Sequence, residues 1–268
     1  MTATTAIGYE KNLPATDPEA LTAREVEVPE LGPHDLLVEV EAVSVNPVDV
    51  KLREGAPANG FKVLGFDAAG TVREVGSAVT LFAPGDEVYY AGSIDRPGTN
   101  QRLHVVDERI TGRKPQVLSF ADAAALPLTA ITAWETLFER LALTEDSTGT
   151  LLVIGATGGV GSIMLALADA LLPNVTVIAT ASDDERSAWV RNLGAEHVVN
   201  HRDDLAEQVL AVAQDGVDWL FTAHSAGQIE TYARIVRAFE RSGILSPLTT
   251  VRATCSRSRA RASLGTGN

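Results

Sequence analysis

The sequence predicts an α/β protein in which a β-rich domain precedes a doubly wound parallel sheet. Strand-like alternation of apolar and polar residues, broken by Gly and Pro, fills the stretch from 23 to about 112. From 151 onward, short apolar runs alternate with segments whose apolar residues recur at helical spacing, which is typical of parallel strands joined by helices. We therefore expect one domain at 1–122, a second at 123–248 and an irregular tail at 249–268.

The β-rich half contains several segments with strand periodicity. The clearest of them lie at 36–44, 69–76 and 86–90. The period changes after Phe120, where residues 121–141 are rich in Ala and Leu at helical spacing. Pro127 interrupts this segment, because proline has no backbone N–H to donate within a helix. The segment predicts a helical bridge between the two halves.

The second half alternates strand and helix along its whole length. We expect strands at 151–154, 175–179, 197–199 and 217–221, and helices at 159–171, 184–193, 205–213 and 229–239. Connections of this kind place the strands in parallel.

The charge, the apolar runs and the cysteine count of the chain argue against several kinds of binding partner. The net charge of −13 opposes a nucleic-acid surface, because such surfaces depend on clustered Lys and Arg. No signal-like leader or bilayer-length apolar run occurs, so we expect a cytoplasmic chain without a membrane partner. With Cys255 as the single cysteine, neither an intrachain disulfide nor a structural zinc site made of several cysteines can form.

A glycine-rich loop lies between the first strand and first helix of the second half. It reads Gly155-Ala-Thr-Gly-Gly-Val-Gly161. In a strand–loop–helix context, small residues make the tight turn, and the helix N-terminus presents amides to a pyrophosphate. The loop therefore favours dinucleotide binding over an ordinary turn and predicts a Rossmann domain. The loop residues expected to hold the cofactor are Ala156, Gly158, Gly159, Val160 and Gly161.

The end of the next strand bears on the choice of cofactor. NAD-selective proteins place Asp or Glu about 20 residues beyond the loop, where it binds the ribose 2′-hydroxyl. Ala181 occupies that place, and Ser182 and Arg186 follow with a hydroxyl and a guanidinium suited to a 2′-phosphate. NADP(H) is therefore expected, although Asp183 and its acidic neighbours oppose it unless they face solvent.

Five stretches together resemble the medium-chain dehydrogenase/reductase superfamily, in its quinone oxidoreductase-like branch and its zinc-type alcohol dehydrogenase-like subgroup. They lie at 42–53, 64–72, 84–92, 123–134 and 179–182, and the similarity runs from about 7 to 243. The resemblance implies a GroES-like catalytic domain followed by a Rossmann domain. It also implies a small-molecule substrate and is compatible with a homodimer.

The zinc ligands of zinc-dependent members of this superfamily do not match this chain. Those members carry a Cys on the strand that here reads Ser44-Val-Asn46, and a His-Glu pair where this chain has Phe66-Asp67. A catalytic zinc normally takes three protein ligands, and the five histidines are scattered. We therefore expect no bound metal.

By resemblance, several residues would serve the reaction. Asn46 would bind the nicotinamide ribose or the substrate oxygen, and Thr129 would contact the nicotinamide. Asp49 lies on the same turn, as does Lys51, which could donate a proton or hydrogen bond. For Asp49 and Arg53, salt bridges on a surface turn are an equally good interpretation. Trp134 is expected in the core.

The C-terminal stretch from 241 to 268 has five Arg and neither Asp nor Glu. It is open to interpretation as a disordered tail, as a basic nucleic-acid arm or as the product of a frameshift. The resemblance favours the frameshift, because family members continue with further strands and a segment that returns to the catalytic domain. On that hypothesis the sheet is incomplete at its C-terminal end and has an exposed edge.

The function expected from the sequence is NADPH-dependent, zinc-free hydride transfer to a quinone, enone or related small carbonyl compound. One alternative is a nucleotide-binding remnant without turnover, and another is a zinc-dependent alcohol dehydrogenase. A short-chain dehydrogenase would need a Tyr-x-x-x-Lys pair, whereas Tyr232 is followed four residues later by Val236.

Overall fold

The computed structural model describes residues 2–55, 58–223 and 228–244. The chain divides into two compact units, and the division falls between Leu128 and Thr129. The predicted tail at 249–268 lies outside the described residues, as does Cys255. The frameshift hypothesis therefore stays a prediction.

The first unit is built mainly from antiparallel strands. Its strands are β1 (Ala3–Tyr9), β2 (Thr22–Glu27), β3 (Asp35–Ser44), β4 (Lys62–Val63), β5 (Asp67–Val75), β6 (Glu87–Ala91), β7 (Leu103–Asp107) and β8 (Thr111–Arg113). Helices α1 (Pro47–Gly55) and α2 (Phe120–Ala124) accompany them, with a short 3-10 helix at Glu108–Ile110. The strands form one sheet in the order β7-β3-β5-β6-β8 and another in the order β2-β1-β4.

Alternation of side chains explains the core of the first unit. Leu36 and Val38 of β3 are fully buried and pack with Val72 of β5 and Val88 of β6. Successive strand residues point to opposite faces, so these apolar positions share one side of the sheet. In β5, Gly70 lets strand β3 approach closely, since a Cβ there would lie 2.1 Å from the carbonyl oxygen of Glu39.

The second unit is a parallel sheet with helices between its strands. The strands are β9 (Gly149–Ile154), β10 (Val175–Thr180), β11 (His197–Val199), β12 (Val217–Thr222) and β13 (Val236–Ile244). The helices are α3 (Pro127–Trp134), α4 (Gly159–Leu171), α5 (Asp184–Asn192), α6 (Leu205–Val212) and α7 (Ile229–Ile235). Helix α3 begins two residues before the division between the units and continues as a π-helical turn at Glu135–Arg140.

The strand order β11-β10-β9-β12-β13 has a specific consequence. From β9 the chain first proceeds to β10 and β11 on one side, and then returns to β12 on the other side. The carboxyl end of β9 is therefore the switch point of the sheet, which is where open α/β sheets bind ligands. The sequence prediction of an α/β fold with a parallel second sheet is confirmed.

Both faces of the second sheet are covered by apolar side chains. Met164 and Leu165 of α4 pack with Leu151 and Val153 of β9 on one face. On the other face, Leu152 of β9 belongs to a buried cluster with residues of α6 and α7. Burial on both sides explains why the strands read as continuous apolar runs.

The structure corrects two sequence predictions about the fold. The last helix ends at Ile235, so the predicted helix at 229–239 is wrong beyond that point. The backbone becomes extended at Val236, where β13 begins its parallel pairing with β12, and sheet hydrogen bonding there overrides the helical pattern. Trp134 is half exposed and packs against Phe138, so its predicted place in the core is wrong. The predicted interruption at Pro127 is confirmed, because α2 ends at Ala124 and α3 starts at the proline.

Candidate functional site

The glycine-rich loop forms a tight turn after β9. Gly155 has φ +74°, a conformation that glycine adopts without strain. Its N–H donates to the Thr180 hydroxyl at 3.0 Å, and its carbonyl oxygen accepts from the Gly158 N–H at 3.0 Å. These two bonds turn the chain sharply and tie the turn to the end of β10. This role of Thr180 was not predicted from the sequence, although a hydroxyl at the end of the strand beside the loop could have indicated it.

Helix α4 begins directly after this turn. Gly158 is its N-cap residue, and both Gly158 and Gly159 are exposed. The amides of the first helical turn have no carbonyl partner inside a helix, so the N-terminus of α4 presents donors and the positive end of the helix dipole. A Cβ on Gly161 would lie 2.5 Å from the Gly155 carbonyl oxygen and 2.6 Å from Ala156 Cα. Gly161 therefore permits the close packing of helix on turn.

Thr129 lies beside this loop within the second unit. A Cβ added to Gly159 would sit 3.1 Å from Thr129 Cγ2, so the threonine methyl group covers the first residue of α4. The structure thus brings together predicted cofactor residues that are 30 positions apart in the sequence.

Ser182 and Arg186 meet at the N-terminus of α5. Asp183 is the N-cap residue and accepts the Arg186 N–H at 2.9 Å. Its carboxylate also pairs with the Arg186 guanidinium and accepts the Ser182 hydroxyl at 3.2 Å. The backbone N–H of Arg186 contributes most to holding the pKa of Asp183 below its usual value. Asp183, which was expected to oppose a phosphate, is therefore partly neutralised by the arginine expected to bind one.

In the first unit, Asn46 and Asp49 form the junction between β3 and α1. The Asn46 N–H donates to Asp49 Oδ2 at 2.8 Å, and the Asp49 N–H donates to the Asn46 carbonyl at 3.0 Å. Asp49 Oδ1 accepts the Gly65 N–H at 3.1 Å. Both oxygens of this buried carboxylate thus bind backbone amides, and Asp49 joins the start of α1 to the loop before β5.

Asp67, at the start of β5, holds the Asn46 side chain. It is fully buried, and its Oδ2 accepts a hydrogen bond from Asn46 Nδ2 at 2.8 Å. Its Oδ1 accepts the Leu128 N–H at 2.8 Å. The pKa of Asp67 is raised to about 6, chiefly by burial. The hydrogen bonds from Asn46 and Leu128 oppose this rise, and the charge of Asp49 adds to it. From the sequence, Asp67 was expected only to be a poor metal ligand, and its contact with Asn46 was not predicted.

The other charged residues of α1 differ in their surroundings. Lys51 is exposed, and among the described residues no hydrogen bond or ion pair holds its ammonium group. Arg53 is buried and donates from Nη1 to the Leu13 carbonyl at 2.6 Å. The interpretation of Arg53 as part of a surface salt bridge is therefore wrong.

In the described part of the chain, no three His, Cys, Asp or Glu side chains converge to form a metal site. Asp67 stands alone at the place of the His-Glu pair, and both of its oxygens are engaged in hydrogen bonds. These residues do not fit a catalytic zinc, which normally takes three protein ligands.

Two family models match the chain. The alcohol dehydrogenase GroES-like domain matches residues 32–127, and the zinc-binding dehydrogenase model matches residues 159–247. Across the described ranges, no helix combines the length and apolarity needed to cross a membrane.

Three known proteins illustrate the similarity. A zinc-type alcohol dehydrogenase-like protein of Staphylococcus aureus MSSA476 is 40% identical over 223 residues, which cover 82% of this chain and 66% of that protein. The crystal structure of a putative zinc-dependent alcohol dehydrogenase from Rhizobium etli is 45% identical with a TM-score of 0.87, covering 94% of this chain and 75% of that one. The Escherichia coli quinone oxidoreductase complexed with NADPH is 25% identical with a TM-score of 0.75, covering 91% and 76%. The chain thus spans just under two thirds of the length of the staphylococcal relative.

Proposed function

The chain belongs to the medium-chain dehydrogenase/reductase superfamily, and on that premise we propose that it is an NADPH-dependent, zinc-free oxidoreductase acting on a quinone, enone or related small carbonyl compound. The observation that carries this proposal is the turn at 155–161, placed at the switch point of a parallel sheet.

The loop fits a dinucleotide. Exposed Gly158 and Gly159 leave the N-terminus of α4 without side chains, so a pyrophosphate can reach its amides. Ala156, Val160 and Gly161 complete the cradle. The solved quinone oxidoreductase with bound NADPH, which is similar to this chain, supports the same choice of cofactor.

The selection of NADPH over NADH is assigned to the end of β10 and the start of α5. Ala181 is buried and has no group that could bind a ribose 2′-hydroxyl. Ser182 and Arg186 supply a hydroxyl and a guanidinium, and their contacts with Asp183 already place them side by side. A 2′-phosphate would compete with Asp183 for Arg186, and a bidentate guanidinium–phosphate pair is a strong interaction.

When bound, the reduced nicotinamide supplies the hydride, and the protein supplies binding, orientation and electrostatics. Thr129 would contact the nicotinamide, and Asn46 would bind its ribose or the substrate oxygen. Lys51 can donate a proton or hydrogen bond from Nζ to a carbonyl oxygen that gains negative charge. Asp49 would contribute by holding the backbone around Asn46 in place, because its two oxygens accept the backbone N–H groups of Asn46 and Gly65.

The zinc-free part of the proposal is supported by the donor set. The stretch from Ser44 to Asn46, where zinc-dependent members carry a cysteine, contains none. Both oxygens of Asp67 accept hydrogen bonds, from Asn46 and from Leu128. Polarisation of the carbonyl by hydrogen bonds therefore takes the place of a Lewis acid. A cytoplasmic location and a homodimer stay predictions.

The test combines binding and turnover on the full chain. NADPH binding is followed by nucleotide fluorescence, and NADPH consumption is measured with a small panel of quinones and enones. Binding with consumption is expected, with much weaker binding of NADH. Binding without consumption would favour the nucleotide-binding remnant. One tightly held zinc per chain in protein purified without added metal would favour a zinc-dependent alcohol dehydrogenase.

A further inference from the structure

We infer that Asp67 is a positioning residue that sets the orientation of the Asn46 amide, so that Asn46 presents its carbonyl oxygen to a hydroxyl group of the bound cofactor or substrate. The inference rests on the proposed function, in which Asn46 contacts one of these molecules. It specifies the direction of the hydrogen bond: the cofactor or substrate hydroxyl donates, and the Asn46 side-chain oxygen accepts.

The ionised carboxylate of Asp67 can accept hydrogen bonds but can donate none. Asn46 must therefore turn its NH2 arm toward Asp67, which agrees with the 2.8 Å separation between Nδ2 and Oδ2. The Oδ1 arm of the same amide then points away from Asp67. Because the pair is buried, the reverse orientation would place two acceptors together without a proton between them.

The Asp67 side chain is itself held in place. Its Oδ1 accepts the N–H of Leu128, the second residue of α3. The first amides of a helix lie beyond the reach of its own carbonyl groups, and Asp67 supplies an acceptor at this helix start. The Asp67 backbone is also held, because Thr99 Oγ1 donates to its carbonyl oxygen at 3.2 Å. One oxygen is thus committed to the helix and the other to Asn46.

Replacing the Asp67 carboxylate by an amide should reverse the orientation of Asn46. In Asp67→Asn, the new side chain must still offer its oxygen to the Leu128 N–H, so its NH2 group faces Asn46. Asn46 can satisfy that donor only by turning its own oxygen inward. The substitution thus keeps the size and the helix contact but reverses the arm that Asn46 presents.

The experiment is a double-mutant cycle with wild type, Asn46→Ala, Asp67→Asn and the double variant, read as the Kd for NADPH and as KM and kcat for the best substrate. We expect Asp67→Asn to weaken binding of the partner of Asn46 by roughly 2- to 10-fold, the size of one neutral hydrogen bond. In the Asn46→Ala background the same change should have almost no effect. Equal effects of Asp67→Asn in both backgrounds would overturn the inference.

Asp35→Asn is a control for loss of a buried carboxylate in the first unit. Asp35 accepts the Gly32 N–H and also pairs with Arg96, so this substitution removes at least as much stabilisation as Asp67→Asn. It should leave NADPH binding and KM unchanged, apart from any loss of stability. A similar loss of binding in this control would assign the effect of Asp67→Asn to general destabilisation and would contradict the inference.

A second measurement does not depend on folding of the variants or on the proposed function. The side-chain amide of Asn46 is observed by 15N NMR in the full chain, and it should show one strongly hydrogen-bonded proton. This proton should shift as Asp67 titrates. An Asn46 amide with solvent-like shifts and exchange would overturn the inference. Failure of NADPH binding with the amide signal as expected would instead count against the proposed function alone.

Discussion

In the first unit the Tyr90 hydroxyl donates a 3.0 Å hydrogen bond to Nδ1 of His104, and the two rings stack with their centroids 5.5 Å apart. His104 Nε2 donates in turn to the carbonyl oxygen of Pro97 at 3.1 Å. Both side chains are almost fully buried. This arrangement satisfies a neutral imidazole with its proton on Nε2.

The pair predicts an acid-sensitive contribution to stability. Burial lowers the pKa of His104 from 6.5 to about 4, against the raising effect of the Pro97 hydrogen bond. Because the unfolded chain takes up this proton more readily, the stabilisation is present above pH 6.5 and is lost as the pH falls toward 4. Between pH 7 and 5 the loss should be about 2 kcal/mol.

Urea unfolding of wild type and His104→Gln at these two pH values measures this contribution. His104→Gln should lack this loss of stability between pH 7 and 5. Tyr90→Phe should keep it, because burial is the main cause of the lowered pKa of His104. Asp67 contributes with the opposite sign, since its raised pKa makes its contribution decline as pH rises from 3.8 to about 6. Comparing wild type with the variant cancels that contribution. Parallel pH profiles for wild type and His104→Gln would contradict the prediction.

Gly161→Ala should strongly weaken NADPH binding. The new methyl group would meet the Gly155 carbonyl oxygen at 2.5 Å and Ala156 Cα at 2.6 Å, so the turn must open. We expect the Kd for NADPH to rise at least 10-fold and the melting temperature to fall, both measured on the purified chain. Gly55→Ala is the control, because a Cβ there has nothing within 4 Å. Tight NADPH binding by Gly161→Ala would show that the turn is not the cofactor site.

Arg186→Gln should remove most of the preference for NADPH over NADH. The guanidinium is the strong donor available for a 2′-phosphate, and its loss should weaken NADPH binding by roughly 10- to 100-fold, as for a hydrogen bond to a charged group. NADH binding should change little. Arg191→Gln on the same helix is the control, since Arg191 donates to the Glu196 carbonyl instead. An unchanged ratio of the two Kd values would assign cofactor choice elsewhere.

Asp49→Asn should lower stability. An amide has one acceptor oxygen, so either the Asn46 N–H or the Gly65 N–H would lose its partner. The expected loss in the free energy of unfolding is about 1–3 kcal/mol. Chemical denaturation and the pH profile of kcat distinguish this structural role of Asp49 from the catalytic role expected by resemblance. Unchanged stability together with a displaced pH profile would instead support Asp49 as a catalytic group.

Sequence reasoning identified the features that depend on neighbouring residues. The turn at Gly155, the entry into α4 at Gly159 and the break at Pro127 all follow from backbone stereochemistry, which acts over a few positions. The alternation of strands and helices follows from apolar periodicity, which is also local. The helical pattern did not predict the conformation of Val236, because pairing with β12 determined the backbone there.

Tertiary structure decided which side chains act together. Asn46 and Asp67 are 21 residues apart, and Asp67 and Leu128 are 61 apart. Their contacts depend on the register of β3 against β5, which pairs Ser44 with Asp67, and on where α3 begins. Hydrogen bonds are short and directional, so such a partnership exists only once the register is set. The sequence by itself thus determined the nucleotide loop and its frame, while the packed first unit decided that Asp67 holds Asn46.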